Sequence, residues 1–225
     1  FLSIPLSWFP YRTVLLLAAF ANLGFLGTLV WKLPAWFSLP AWSRPALLVF
    51  LPFLWGIGLG QDILLLALAL AACFRLAARG RDVGAGALLA FCAVKPHLIW
   101  AVPLALLAAG KRRMLGSFVV AVSILAAVSF AAVGPAGVRD WISVLQAPST
   151  DYRPETMANL RALGLHFGPA AAAVAGLLTM LGLLIALRRG SLNEKLAAAL
   201  LASLLASPHT YFYDLSLLPV AVALT

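Results

Sequence analysis

The chain has 225 residues, of which 64% are hydrophobic and 10% charged, and a mean hydropathy of +1.02. Soluble domains carry roughly 45–50% apolar and about 25% charged residues, so the composition excludes a water-soluble globular enzyme and describes a polytopic membrane protein. The formal charge of +9 does not indicate nucleic acid, because no basic stripe with exposed aromatics occurs.

A full crossing takes about 20 residues. Apolar runs fall at Thr13–Trp31, Pro45–Leu59, Ile63–Ala78, Val83–Val94, Leu98–Ala109, Met114–Val133, Phe167–Leu187, Leu196–Ala206 and Leu215–Thr225. Met114–Val133 and Phe167–Leu187 are long enough to span outright, whereas Val83–Val94 and Leu98–Ala109 are short. The pattern predicts an all-α, polytopic transmembrane helical bundle with several short, broken helices, forming a single domain over residues 1–225. Because the chain starts at Phe1 without Met and stops inside an apolar run, it reads as an internal piece of a longer protein, without a signal-peptide pattern. The Trp- and Pro-rich segment Trp31–Arg44 suits an amphipathic stretch on the cytoplasmic interface. Cys73 and Cys92 lie in apolar runs, which argues against a disulfide framework or thiolate metal site.

Positive charge sets the expected sidedness. Arg75, Arg79 and Arg81, then Lys111, Arg112 and Arg113, then Arg188, Arg189 and Lys195 form tight clusters in short loops, which belong on the cytoplasmic side. Alternating crossings add Lys32 and Arg44 to that side and put Arg12, Lys95, Arg139, Arg153 and Arg161 on the other. Most acids fall opposite the basic clusters: Asp62, Asp140, Asp151, Glu155 and Asp214 outside, Asp82 and Glu194 inside. Acids contribute little to orientation, so this distribution points to a site on the outer face.

Three outer turns are polar where lipid would tolerate nothing polar: Gly60-Gln61-Asp62, Lys95-Pro96-His97, and the stretch from Ser207 to Asp214. Helices of roughly twelve residues rise only about 18 Å against a hydrocarbon core of about 30 Å, so the Lys95 turn is expected below the outer surface. Irregular backbone at that depth survives only when buried in protein or lining a watery cavity. The expectation is an outward-facing cleft lined by Gln61, Asp62, Lys95, His97, His209, Tyr211 and Asp214. Simpler roles suit two of them: Lys95 can snorkel from a helix end, and Asp214 can cap the helix that follows.

The long outer loop over residues 134–166 is the one sizeable polar segment. Trp141 and Tyr152 suit interfacial anchoring, as does His166, while Asn159 and Arg161 would overhang the cleft mouth, where a guanidinium can hold a phosphate or sugar hydroxyls. No P-loop, GxGxxG after a strand, HExxH, GxSxG or CxxC is present.

The order Gly60-Gln61, Arg79-Gly80-Arg81, Ala85-Gly86, Lys95-Pro96, Lys111-Arg112-Arg113, Asn159-Leu160-Arg161 and Ser207-Pro208-His209 resembles glycosyltransferase family 87, from about Pro45 to Pro219. Asp62-Ile63 departs from an Asn often found after Gly-Gln in that family, and Asn159-Leu160-Arg161 from its Asn-Gln-Ser. The resemblance implies a membrane glycosyltransferase of GT-C architecture. It would transfer a hexose or pentose, mannose foremost, from a polyprenyl-phosphate donor to a glycolipid or glycan acceptor, on the outer face of a bacterial plasma membrane. It implies no cofactor and no metal. Its main base is expected in an outer loop preceding Phe1.

Within the chain, Lys95 with Arg161 would bind the donor phosphate, and Asp62, Asp214 and His209 would form the catalytic group. Gln61, His97, Asn159, Tyr211 and Tyr213 would bind sugar or acceptor. The competing class is a secondary transporter with a midplane polar site, although such proteins usually show repeated halves, and no internal repeat is evident.

Overall fold

The computed structural model describes residues 9–146 and 153–225, and within them it contains helices and turns and no strand. Asp151 and Tyr152, an outer charge and an expected anchor, lie outside the described residues. Among the described residues, three helices are long and apolar enough to cross a membrane: α1 (Tyr11–Phe37), most of α7 (Arg112–Gln146), and α9 (Pro169–Arg189). The crossing window of α7 has no buried residue and that of α9 almost none, the pattern of helices whose surroundings are lipid.

The core is built mainly from the shorter helices, joined by Leu26, Leu29 and Leu33 of α1. These shorter helices are α2 (Ser43–Leu48), α3 (Leu51–Gly58), α4 (Ile63–Ala78), α5 (Asp82–Cys92), α6 (Val102–Ala108), α10 (Leu192–Ala206) and α11 (Leu218–Val222), with α8 (Leu160–Phe167) packed against α9. The central element is α4, with Leu64, Leu70, Cys73 and Phe74 all buried; it packs between α5 and α1, while α10 packs against α6 and α9. A single glycine brings α5 and α7 together: a Cβ on Gly86 would collide with the Met114 carbonyl and lie 2.8 Å from Ser117 Cβ. Ser117 Oγ donates to Val83 O at 2.7 Å in the same contact. Close approach at a small residue is the usual basis of helix association in membranes.

Prolines and glycines account for the departures from the expected runs. Helix α1 does not stop at Trp31. It continues through Pro34 to Phe37 and closes at Ser38, whose φ of 56° lies in the left-handed region, so the segment Trp31–Arg44 comprises the last turns of α1 and a turn into α2. Arg44 folds back there, its guanidinium 4.7 Å from the centre of the Trp31 ring, an arrangement attractive through the ring quadrupole. The run Pro45–Leu59 divides into α2 and α3 because Pro52 has no N–H to continue the ladder.

Helix α7 is interrupted at Gly134 (φ 66°, ψ −178°), the only residue type that holds that backbone easily. It then resumes at Pro135, a favoured first helical position. Part of the expected outer loop 134–166 is therefore helical, in the end of α7 and in α8.

The basic clusters meet at one end of the bundle. Lys111 pairs with Asp82 at 3.0 Å, and Lys195 Nζ donates to Ala108 O at 2.9 Å. Helix α10 starts there with a capping box: Glu194 N donates to Ser191 Oγ and Ser191 N to Glu194 Oε2 at 2.6 Å. These bonds hold the Glu194 carboxyl below its ordinary range.

Candidate functional site

At the opposite end, three turns converge on Lys95. In the first, Gly60 (φ 65°) reverses the chain after α3, with Gly60 N donating to Ile57 O and Gln61 N to Gly56 O at 2.9 Å, the left-handed closure that favours glycine. Asp62 then stands at the N-cap position of α4, yet its side chain caps no backbone N–H. It reaches Lys95 instead, Oδ1 lying 3.1 Å from Nζ.

The second turn follows α5. Pro96 opens a short 3-10 turn, Pro96–Leu98, and the turn is held from below by a buried contact in which Ala101 N donates to Ser203 Oγ of α10 at 3.0 Å. Lys95 thereby sits among four groups: Asp62, Gln61 Oε1 at 3.4 Å, Asp214 Oδ1 at 3.6 Å, and the Tyr213 ring with its centre 5.1 Å from Nζ.

The third turn carries the chain from α10 to a 3-10 segment, Phe212–Leu217. Pro208 prevents α10 from continuing, and Thr210 Oγ1 donates to the orphaned Leu204 O at 2.7 Å. Asp214 is 3% exposed. Its Oδ2 accepts from Tyr211 N at 2.9 Å, while Oδ1 has no hydrogen-bond partner among the described residues. The Tyr211 and Tyr213 rings stack at 5.6 Å with 19° between planes, so each covers one face of the other. The His97 ring meets the backbone of His209, which joins the second and third turns.

The structure thus brings together Gln61, Asp62, Lys95, Tyr213 and Asp214, with His97 against His209 and Tyr211 against Tyr213. Arg161 is exposed on the first turn of α8 and takes part in none of the ion pairs of Lys95. The expectation for Asn159 needs correction. It is 5% exposed and does not overhang the cleft, because both ends of its amide are occupied: Oδ1 accepts from Ala162 N at 3.0 Å as the N-cap of α8, and Nδ2 donates to Ser207 O at 3.0 Å. A parallel bond from Ala158 N to Thr210 O, 2.8 Å, completes a clamp between the segment leading into α8 and the third turn. His166, expected at the interface, is exposed and contacts Glu155 O through Nε2 at 2.8 Å.

A cavity of about 1140 Å³ opens beside the cluster, lined by apolar Leu51, Trp55, Leu59 and Phe212 and by polar Gln61, Thr156, Tyr211 and Tyr213. The roles of Trp55, Phe212 and Thr156 were not legible in the sequence, where exposed aromatics in an apolar run look like ordinary lipid-facing residues. Trp55 and Phe212 meet edge to face at 6.3 Å. Among the described residues no three His, Cys, Asp or Glu side chains gather as metal ligands. The cluster places one ammonium between two carboxylates, flanked by aromatic rings and apolar side chains.

No curated protein and no solved structure matches the chain. The model of glycosyltransferase family 87 matches residues 1–208, nearly the whole length, and it decides between the two classes the polar turns allowed, transfer and transport. The chain belongs to glycosyltransferase family 87 and is a membrane glycosyltransferase.

Proposed function

We propose that the Lys95 cluster and the adjoining cavity bind a polyprenyl-phosphate-linked sugar, mannose foremost, and pass the sugar to a glycolipid or glycan acceptor on the outer face of a bacterial plasma membrane. The observation that carries this reading is the cavity's mixed lining, with apolar Leu51, Trp55, Leu59 and Phe212 and polar Gln61, Tyr211 and Tyr213, beside a partly buried ammonium. A ligand with a hydrocarbon tail and an anionic head matches both kinds of lining, and such a donor would arrive through the bilayer.

In this reading the bond between the sugar's anomeric carbon and the phosphate oxygen breaks, its electron pair leaving with the phosphate. Lys95 stabilises the departing charge, as a fixed cation does where charge develops, and Arg161 assists from α8. The acceptor hydroxyl oxygen bonds to the anomeric carbon with inversion, and a carboxylate takes its proton. Asp62 is the exposed carboxylate of the group; Asp214 and His209 orient the reactants. Gln61, His97, Tyr211 and Tyr213 contact the sugar or acceptor, and the fold takes the GT-C arrangement.

The test is sugar transfer from polyprenyl-phosphate mannose by the full-length protein in membranes. Lys95→Ala is expected to lower the rate by about 10²-fold or more, the size of losing one charge-stabilising group, and His209→Ala to lower it measurably. Unchanged transfer by Lys95→Ala would remove the site from this cluster.

A further inference from the structure

Lys95 faces two carboxylates that differ in every respect that governs exchange. Asp214 is 3% exposed and fixed through Oδ2 to Tyr211 N, whereas Asp62 is 45% exposed and its side chain makes no capping bond. The closer partner is nevertheless the exposed one, at 3.1 Å against 3.6 Å. The longer separation exceeds hydrogen-bonding distance, and the buried Oδ1 of Asp214 is left without a hydrogen-bond partner among the described residues. One ammonium and two carboxylates also sum to a net charge of −1, which opposes an incoming anion.

We propose that Asp62 is a displaceable counter-ion that holds the place of the donor phosphate on Lys95, and that donor binding is an exchange of one anion for another. The phosphate takes the outer side of the ammonium, Asp62 swings into solvent, and Nζ closes the half ångström or so to Asp214 Oδ1, satisfying the buried oxygen. Charge at Lys95 is then balanced as before, one fixed carboxylate and one mobile anion. The carboxylate released at the mouth of the cavity is free to meet the acceptor hydroxyl only once the donor is in place, which orders the two substrates. Asp62 acts here through Lys95, as a positioning residue for the donor.

The inference rests on the reading of Lys95 as the phosphate ligand, and the experiment separates the two. Radiolabelled decaprenyl phosphate is bound to the full-length protein in phosphatidylcholine nanodiscs, with inorganic phosphate as competitor. Asp62→Asn is expected to bind about two- to fivefold more tightly than the native protein, the size of an exposed ion pair removed as competitor, and Lys95→Ala to lose binding. A gain in affinity is not what a damaged structure produces; Asp62→Ser, measured in the same way, replaces Asp62→Asn if that variant does not accumulate. Should Lys95→Ala bind like the native protein, the phosphate reading itself fails. Should Lys95 be required while Asp62→Asn binds no more tightly than the native protein, the exchange is overturned and the site reading stands. Displacement by inorganic phosphate at concentrations matching the lipid's would assign the ammonium to free anions and overturn both.

Discussion

Asn159 serves two neighbours through opposite ends of one amide, and substitution can separate them. An aspartate keeps the acceptor that caps α8, since Asp and Asn are equivalent N-caps, but it replaces the donor to Ser207 O with a carboxylate oxygen facing a carbonyl. Asn159→Asp is therefore predicted to destabilise the protein by about 1–3 kcal/mol, the cost of leaving buried polar groups unpaired. Asn159→Ser, which also caps, should lose less because it adds no charge. Thermal unfolding of the purified protein in detergent checks the order; an Asn159→Asp variant as stable as the native protein would reduce the residue to a helix cap. The sequence marks Asn159 as polar at a helix start, which is a local property. Its partner Ser207 is 48 positions away, and no spacing rule encodes that. The same holds for Asp62: its position predicts a cap, and the ion pair that replaces the cap is visible only when the α3–α4 and α5–α6 turns are seen side by side.

Helix existence was legible from apolar runs, and helix boundaries were legible wherever a backbone constraint sits at the end. Gly60, Gly80 and Gly110 all carry positive φ at reversals, and the Lys95 and Pro208 breaks fall where proline forbids continuation. The division of Pro45–Leu59 and the restart of α7 after Gly134 were less legible, because a single Pro or Gly in an apolar run is compatible with either a kink or an end. Gly86 shows the limit in the other direction. In the sequence it lies in an apolar helix where glycine costs propensity, and only the packing of α5 on α7 explains it. Gly86→Ala puts a methyl group against the Met114 carbonyl and the Phe118 amide and is predicted to cost about 1–3 kcal/mol, the range for overpacking. Gly182→Ala, where nothing lies within 4 Å, should be neutral or gain up to about 1 kcal/mol from helix propensity. Melting temperatures of the two variants measured together give the comparison, and equal shifts would mean that α5 and α7 yield more readily than their contact implies.

For the whole molecule, charge distribution carries more information than net charge. The basic clusters gather at one end, where Lys111 meets Asp82 and Lys195 meets the end of α6, and the polar turns gather at the other, where the acids surround Lys95. The positive-inside rule assigns the first end to the cytoplasm, so the cavity beside Lys95 must open to the opposite side if the rule governs this chain. Membrane-impermeant maleimide can decide, because both native cysteines are buried and give little background. Thr156→Cys, on the cavity wall, is predicted to be labelled in intact cells, and Arg189→Cys, exposed at the end of α9, only after the membrane is opened. Labelling of Thr156→Cys from both sides would mean that the cavity alternates its access, behaviour expected of a transporter and foreign to a site that receives its donor from one leaflet. Labelling of Thr156→Cys only from the inside would invert the molecule, moving the proposed transfer to the cytoplasmic face while leaving the geometry around Lys95 untouched.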